Sequence, residues 1–181
     1  MSPPPLIVTV RLDDAGAAAF DVLRSAHYPP HLNVLRAHVT LFHQLPGHET
    51  DSVIAELTAT RSDEPFALEV VGPRLLGRGV AIDLRSPTLH SLHADLARRW
   101  TPWLTRQDRQ PFRPHVTIQN KVDPATARQL HDELATTPWP PVSAIGWSLW
   151  RYLGGPWDPV TEIPFRSGPP PARQQQSAAG C

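Results

Sequence analysis

The chain has 181 residues, with 17 basic and 17 acidic side chains and a formal net charge of zero. Proteins that bind long nucleic acids by neutralising phosphates need a basic face, so this composition argues against an extended nucleic-acid surface. Hydrophobic residues make up 40% of the chain, which is enough for the core of one large domain or two small lobes.

The first half of the chain predicts alternating strands and helices. Asp13 or Asp14 is a suitable helix cap, and Gly77–Gly79 suits the turn of a hairpin. The predicted elements are, in chain order, a strand over 6–12, a helix to about residue 26, a strand over 37–45, a helix containing Val53, Ile54 and Leu57, and hairpin strands over 66–76 and 80–85.

The second half repeats this plan. Its predicted elements are a helix from about Pro87 to Pro102, a strand at 115–118, a helix from Pro124 with Ala127, Leu130 and Leu134 on one face, and strands over 142–153 and 159–166. The Pro- and Gln-rich residues 167–181 lack apolar periodicity, so we expect a disordered tail.

The repetition predicts an α+β fold with two pseudo-symmetric lobes. Each lobe is expected to be an antiparallel sheet with helices on the outside, and the two lobes flank a central cleft. We expect one bilobal domain over 1–166, with lobes of approximately 1–85 and 86–166 that could exchange strands.

The pattern His-Val-Thr-aliphatic occurs twice, as His38-Val39-Thr40-Leu41 and as His115-Val116-Thr117-Ile118. Successive side chains of a strand point to opposite faces, so the His and Thr of each copy share a face. In equivalent strands of a duplicated unit, two imidazoles and two hydroxyls would converge on a site the size of a phosphate. Two imidazoles can hold opposite protonation states near neutral pH, and the hydroxyls can bind phosphate oxygens.

At these residues the chain resembles the 2H phosphoesterase superfamily, which is named for two His-x-Thr/Ser-x motifs. That superfamily includes bacterial 2′-5′ RNA ligases and cyclic nucleotide phosphodiesterases. The segment 111–118, Pro-Phe-Arg-Pro-His-Val-Thr-Ile, is similar to its Phe-x-Pro-His-hydrophobic-Thr-hydrophobic signature, and 35–42 is similar to the first motif. The resemblance spans roughly residues 5–166.

The resemblance implies that His38 and His115 are the catalytic acid-base pair and that Thr40 and Thr117 bind the phosphate. It implies a metal-independent phosphodiesterase that acts on 2′,3′-cyclic phosphates of nucleotides or RNA ends, or on 2′-5′ linkages. The same pair could run the reaction backwards as a 2′-5′ RNA ligase. No cofactor and no metal are expected.

Further residues are candidates for substrate contact. Strand parity places Phe42 and Gln119 on the faces of their motif histidines, and Trp150 and Tyr152 share one face of a later strand. Three arginines lie near the motifs in sequence and could meet a phosphate: Arg36, Arg113 and Arg151. Ordinary packing, or a solvated charge, is the alternative reading for each of these residues.

The other histidines are weaker candidates for catalysis or metal binding. Spacing of five residues puts His38 and His43 on opposite faces of a strand, and no Cys or Glu completes a zinc pattern. His90 and His93 lie on a helix whose buried stripe is leucine, so we expect them at the surface.

The expected cellular location is inferred from features that the sequence lacks. The lone Cys181 excludes a disulfide within the chain, and the sequence lacks both an export signal at Met1–Pro5 and an apolar run long enough to span a bilayer. We expect a cytoplasmic monomer that binds a nucleotide or RNA end and no membrane. Two other functions stay open: a non-catalytic nucleotide or RNA-end binding module, and an adaptor in which the repeat is a structural relic.

Overall fold

A computed structural model describes residues 3–155 and 157–166, so the predicted disordered tail lies outside the described residues. Four helices and seven strands are found in this part of the chain. They are β1 (Leu6–Leu12), α1 (Asp14–His27), β2 (Val39–Leu45), α2 (Thr50–Ala59), β3 (Phe66–Leu75), β4 (Val80–Arg85), α3 (Pro87–Arg99), β5 (His115–Gln119), α4 (Pro124–Leu134), β6 (Val142–Tyr152) and β7 (Trp157–Pro164).

All of these strands pair antiparallel in one curled sheet with the order β2-β1-β6-β3-β4-β5. β1 occupies one edge of β6, and β3 and β7 share the other edge. The predicted α+β class with antiparallel strands and helices is confirmed.

The topology contains a duplicated unit with strand exchange. β1-α1-β2-α2-β3 and β4-α3-β5-α4-β6 have the same order of elements. The third strand of each unit pairs with the first strand of the other, since β3 joins β4 and β6 joins β1. The motif strands β2 and β5 are therefore the first and last strands in this order. The curl of the sheet brings them beside each other.

Helix starts agree with the sequence. The side chain of Asp13 accepts a hydrogen bond from Gly16 N, and Ser86 and Asp123 cap α3 and α4 in the same way. The buried faces of the helices pack on the sheet, where Phe20, Trp100 and Trp147 are fully enclosed. Within 3–155 and 157–166, no helix is both long and apolar enough to traverse a bilayer.

One glycine is required by close packing of strands beside the second motif. A Cβ at Gly79 would lie 2.0 Å from the carbonyl oxygen of Gln119, so only glycine lets β4 approach the end of β5.

Candidate active site

The two motif histidines are held in the same way. Nδ1 of His38 lies 2.7 Å from the carbonyl oxygen of Arg36, and Nδ1 of His115 lies 2.8 Å from that of Arg113. A carbonyl oxygen only accepts hydrogen bonds, so Nδ1 must be the protonated nitrogen in each neutral ring. Nε2 is thereby left as the nitrogen that can exchange a proton with a ligand.

Burial is the main influence on both imidazoles. It lowers the pKa of His38 to about 4, with the charges of Arg24 and His115 acting in the same direction. The His38 side chain is only partly exposed. Burial also lowers the pKa of His115; Arg74 adds to this shift and Asp83 opposes it. Both rings are therefore neutral at pH 7 in the free protein.

The motif threonines occupy equivalent places in the two units. Thr40 pairs with Thr9 of β1, and Thr117 pairs with Ala81 of β4. Each is only partly buried, while the valine that precedes it is fully buried. The alternation that the sequence predicted within each motif is therefore observed.

A β-bulge follows the threonine in both motif strands. Val8 of β1 faces Phe42 while the next residue, Thr9, faces Thr40, so Leu41 is the additional residue. On the other side, Val80 faces Gln119 and its neighbour Ala81 faces Thr117. A bulge shifts the side-chain alternation by one position, so residues after it no longer share the face of the motif.

This bulge makes the parity prediction for Phe42 and Gln119 wrong. Phe42 is fully buried, stacked on His93 at 4.7 Å between ring centroids and edge-on to Trp100. Gln119 is 3% exposed, and its Oε1 has no hydrogen-bond partner among the described residues. The core, not the cleft, receives both side chains.

A cleft of about 450 Å³ opens beside His38. We call it the aromatic cleft because Trp150 and Trp157 line it. The Trp157 ring lies 5.0 Å from the imidazole of His38 and 6.2 Å from Trp150, between centroids. Trp150 is fixed by a hydrogen bond from Nε1 to Thr9 Oγ1 at 3.0 Å. Aromatic walls with a few polar groups are typical of small-molecule sites.

Of the two candidates for substrate contact on β6, Trp150 lines the aromatic cleft and Tyr152 does not. Tyr152 is 40% exposed at the end of β6 and is not among the residues that line this cleft. Trp157 takes that place and was missed, because its position depends on how β7 pairs with β6.

A second cavity of about 340 Å³ shares His38 and Trp157 with the aromatic cleft and is also lined by Thr117, Arg24 and Lys121. We call it the basic recess. It joins a residue of the first motif to one of the second. Thr40 and His115 line neither cavity.

Arg24 connects the two motifs. Its guanidinium donates to the carbonyl of Thr117 at 2.6 Å, to Asn33 Oδ1 at 2.9 Å and to the carbonyl of Leu35 at 3.3 Å, and it lies over the ring of Tyr28. Sequence reasoning missed it. An arginine in register with the buried Ala17 and Phe20 of α1 was the available signal.

Arg113 lies in a different charged group. It donates to Asp83 Oδ2 through Nε at 3.0 Å and through Nη2 at 2.6 Å, and Arg74 Nε also binds that carboxylate at 2.8 Å. The three residues line a separate cavity of about 550 Å³. Asp83 pairs with His115 in the strand register, and the charges of Arg74 and Asp83 act on that histidine in opposite directions.

Two other histidines have unexpected surroundings. His93 is 8% exposed and is stacked between Phe42 and Phe112, whose centroid lies 3.9 Å away, so the prediction of a surface residue is wrong. His43 Nδ1 lies 2.9 Å from the buried carboxylate of Asp108. In the described residues no group of three His, Cys, Asp or Glu side chains is arranged to hold a metal ion.

Comparisons with known proteins agree with this geometry. The family model of the 2′-5′ RNA ligase superfamily matches residues 12–156. No curated protein matches the chain in sequence.

Solved structures share the fold at low sequence identity. Escherichia coli LigT in complex with 3′-AMP has a TM-score of 0.61 and 17% identity, covering 91% of this chain and 99% of LigT. The protein TT0787 of Thermus thermophilus has a TM-score of 0.58 and 17% identity, covering 90% of this chain and 98% of its own. The match to the family model over most of the chain shows that the protein belongs to the 2′-5′ RNA ligase superfamily, consistent with the resemblance to 2H phosphoesterases.

Proposed function

We propose that the protein is a metal-independent phosphodiesterase of the 2H type. Its substrates would be 2′,3′-cyclic phosphates of nucleotides or RNA ends, or 2′-5′ phosphodiester linkages. One observation carries this proposal: two imidazoles of the duplicated motifs have the same Nδ1 contact to a backbone carbonyl, which reserves Nε2 of each for chemistry. A pure binding site has no need of two such matched titratable groups.

The proposal gives each ring a different role. His38 has a pKa of about 4, so it is neutral at pH 7 and suits the general base. His115 is then the general acid; burial lowers its pKa as well, with Arg74 adding to this shift and Asp83 opposing it. A bound phosphodiester anion would raise both pKa values, and protonation of His115 would then accompany substrate binding.

The proposed reaction is a single displacement at phosphorus. His38 Nε2 takes a proton from water as the oxygen of that water bonds to phosphorus. The bond from phosphorus to one ribose oxygen breaks, and His115 Nε2 gives that oxygen its proton. Thr40 and Thr117 donate hydrogen bonds to the non-bridging oxygens, where negative charge grows in the transition state. Ligation to form a 2′-5′ linkage would use the same steps with a ribose 5′-hydroxyl in place of water: His38 takes the proton of that hydroxyl as its oxygen bonds to phosphorus, the bond from phosphorus to the 3′ oxygen breaks, and His115 protonates that oxygen.

A nucleotide substrate fits the surroundings of His38. The aromatic cleft offers Trp150 and Trp157 as surfaces for a base, and its volume of about 450 Å³ lies within the range of ligand sites. LigT, which shares this fold, was crystallised with 3′-AMP. The same class of ligand is proposed for this chain.

The decisive experiment is hydrolysis of the four nucleoside 2′,3′-cyclic monophosphates in EDTA near neutral pH. The wild type is compared with His38→Ala and His115→Ala, and the product isomer is identified. Turnover in EDTA that falls by about 10²-fold to 10⁴-fold in both variants supports the proposal. His48→Ala is the matched control, because His48 is exposed and lies outside both cavities.

The alternative is a nucleotide or RNA-end binding module without turnover. The basic recess is the observation that favours it, since a cationic cavity can bind phosphate without any reaction. Binding of nucleotides with no hydrolysis of any cyclic phosphate or 2′-5′ linkage would select this alternative.

A further inference from the structure

The basic recess contains a buried cation with no acidic partner. Arg24 is 5% exposed, and its hydrogen bonds go to two backbone carbonyls and one amide. Its Nε has no partner in the described part of the chain. Asp21 is the carboxylate whose charge acts on it, but that group already accepts from Arg36 Nε and Ala37 N.

A buried, uncompensated charge is costly, and a ligand of opposite charge removes part of that cost. The recess is lined by a second cation, Lys121, and none of its described lining residues is acidic. This local positive charge is notable because the chain as a whole has no net charge. An anion is therefore the chemical class that the recess fits.

Lys121 is held in an unusual backbone conformation at the edge of this recess. Its φ of 59° is in the left-handed region, and it is the one non-glycine residue with positive φ in the described chain. Its backbone N–H donates to Asn120 Oδ1 at 2.8 Å, and the next residue, Val122, donates to the carbonyl of Arg78 at 3.0 Å. These bonds offset the strain and keep the lysine at the recess.

The basic recess and the aromatic cleft share residues, and this indicates which part of a substrate the recess would bind. His38 and Trp157 line both cavities, so a phosphate reacting at His38 would adjoin the aromatic cleft and the basic recess. The reacting phosphate would lie against His38 and Thr117, and a further charged group of the same substrate would then meet Lys121 in the recess.

Building on the proposed function, we infer that the basic recess binds a second phosphate group of the substrate. The preferred substrates would then be nucleotides or oligonucleotide ends that have a phosphate besides the one that reacts. Simple nucleoside 2′,3′-cyclic monophosphates would be poor substrates by comparison. Lys121 would contact the second phosphate, and Arg24 would contribute a fixed positive charge behind it.

Equilibrium binding tests this inference without turnover. Calorimetric titration compares adenosine 3′,5′-bisphosphate with adenosine 3′-monophosphate on the full chain. We expect the bisphosphate to bind about tenfold more tightly or better, as for one charge-assisted hydrogen bond. Lys121→Gln should remove most of this advantage, and Arg128→Gln, which changes an exposed charge on α4 outside the recess, should retain it.

Two results would overturn the inference. One is equal affinity of the wild type for the two nucleotides. The other is that Lys121→Gln and Arg128→Gln lose the tighter binding of the bisphosphate equally. That result would indicate a general electrostatic effect of surface charge and not a specific site. Because the readout is binding, absence of hydrolysis would count against the proposed function alone, and this inference would still be decided by the titration.

Discussion

Arg24 Nη1 donates to the backbone carbonyl of Thr117 at 2.6 Å, across the interface between the two duplicated units. The same guanidinium holds the carbonyl of Leu35, three residues before the first motif histidine. One side chain of α1 therefore links the segment that carries His38 to the strand that carries His115. We expect the separation of the two motifs to depend on this residue as well as on the curl of the sheet.

Replacement of Arg24 by Met should destabilise the fold by about 2 to 4 kcal/mol, because the three partly buried acceptors of its hydrogen bonds lose their donor, and this loss outweighs the gain from no longer burying a charge. The loss should appear as a lower urea midpoint at unchanged slope. Arg36→Met is the control, since it removes only an exposed ion pair to Asp21 and should cost at most about 1 kcal/mol. Equal midpoints for Arg24→Met and the wild type would contradict the linking role.

The pH dependence of kcat/KM should reflect the lowered pKa values of both histidines. The base, His38, must be neutral and titrates near pH 4, so the acidic limb should lie there. The acid, His115, must be protonated, and its pKa lies below the ordinary value of 6.5, so kcat/KM should fall as the pH rises through neutrality.

The measurement is initial rates at low substrate from pH 3.5 to 9, with recovery of activity at pH 7 as the control for unfolding. An alkaline limb of kcat/KM above pH 7.5 would be inconsistent with the role assigned to His115. The corresponding limb of kcat should lie at higher pH, because the bound phosphodiester anion favours protonated His115.

The fold was predictable because its signals are local. The helix cap at Asp13, the hairpin glycines and the repeated motif are all read within a few residues, and the observed elements follow them. The motif pair itself indicated the candidate site. Within each motif, alternation of buried and open side chains applies as far as Thr40 and Thr117.

The wrong or missed predictions concern side chains whose positions depend on contacts between segments that are distant in sequence. No residue pattern predicted the bulges after the two threonines, so Phe42 and Gln119 were expected on the wrong face of their strands. Trp157 reaches His38 only because β7 pairs with β6. His93 is buried because aromatic rings from two distant segments enclose it, which a helical stripe of leucines does not reveal.

His93 should make the protein less stable in mild acid. Burial lowers the pKa of His93 to about 4, with His90 acting in the same direction and Asp108 opposing it. Below pH 6.5 the unfolded chain binds a proton that the folded chain does not, so stability is lost as the pH falls from 6.5 towards 4. The expected loss at this residue is about 2 kcal/mol between pH 7 and pH 5.

His93→Phe keeps an aromatic ring between Phe42 and Phe112 but removes the titration. Urea unfolding at pH 7 and pH 5 should therefore show a smaller difference for this variant than for the wild type. His131→Phe replaces a histidine outside the stack and should leave the difference unchanged. If the wild type and His93→Phe lose equal stability, His93 does not carry this dependence.

We expect the stability of the fold to depend on the carboxylate of Asp108. It accepts hydrogen bonds from His43 N at 2.8 Å, His43 Nδ1 at 2.9 Å, Gln44 N at 3.1 Å and Thr105 Oγ1 at 3.1 Å. Burial alone would raise the pKa of Asp108, but these donors outweigh it and hold the pKa below its usual value. The loop before β5 is thereby attached to the end of β2.

Asp108→Asn should destabilise the protein by about 2 to 4 kcal/mol, because an amide has one oxygen to accept these bonds and places an NH₂ against donors. Asp95→Asn is the matched control, since Asp95 forms exposed helix pairs with Arg98 and Arg99 and should cost at most about 1 kcal/mol. Urea midpoints at pH 7 give both values. Similar small losses for the two variants would mean that Asp108 does not secure the loop, and that the approach of β2 to β5 relies on the curl of the sheet and on Arg24.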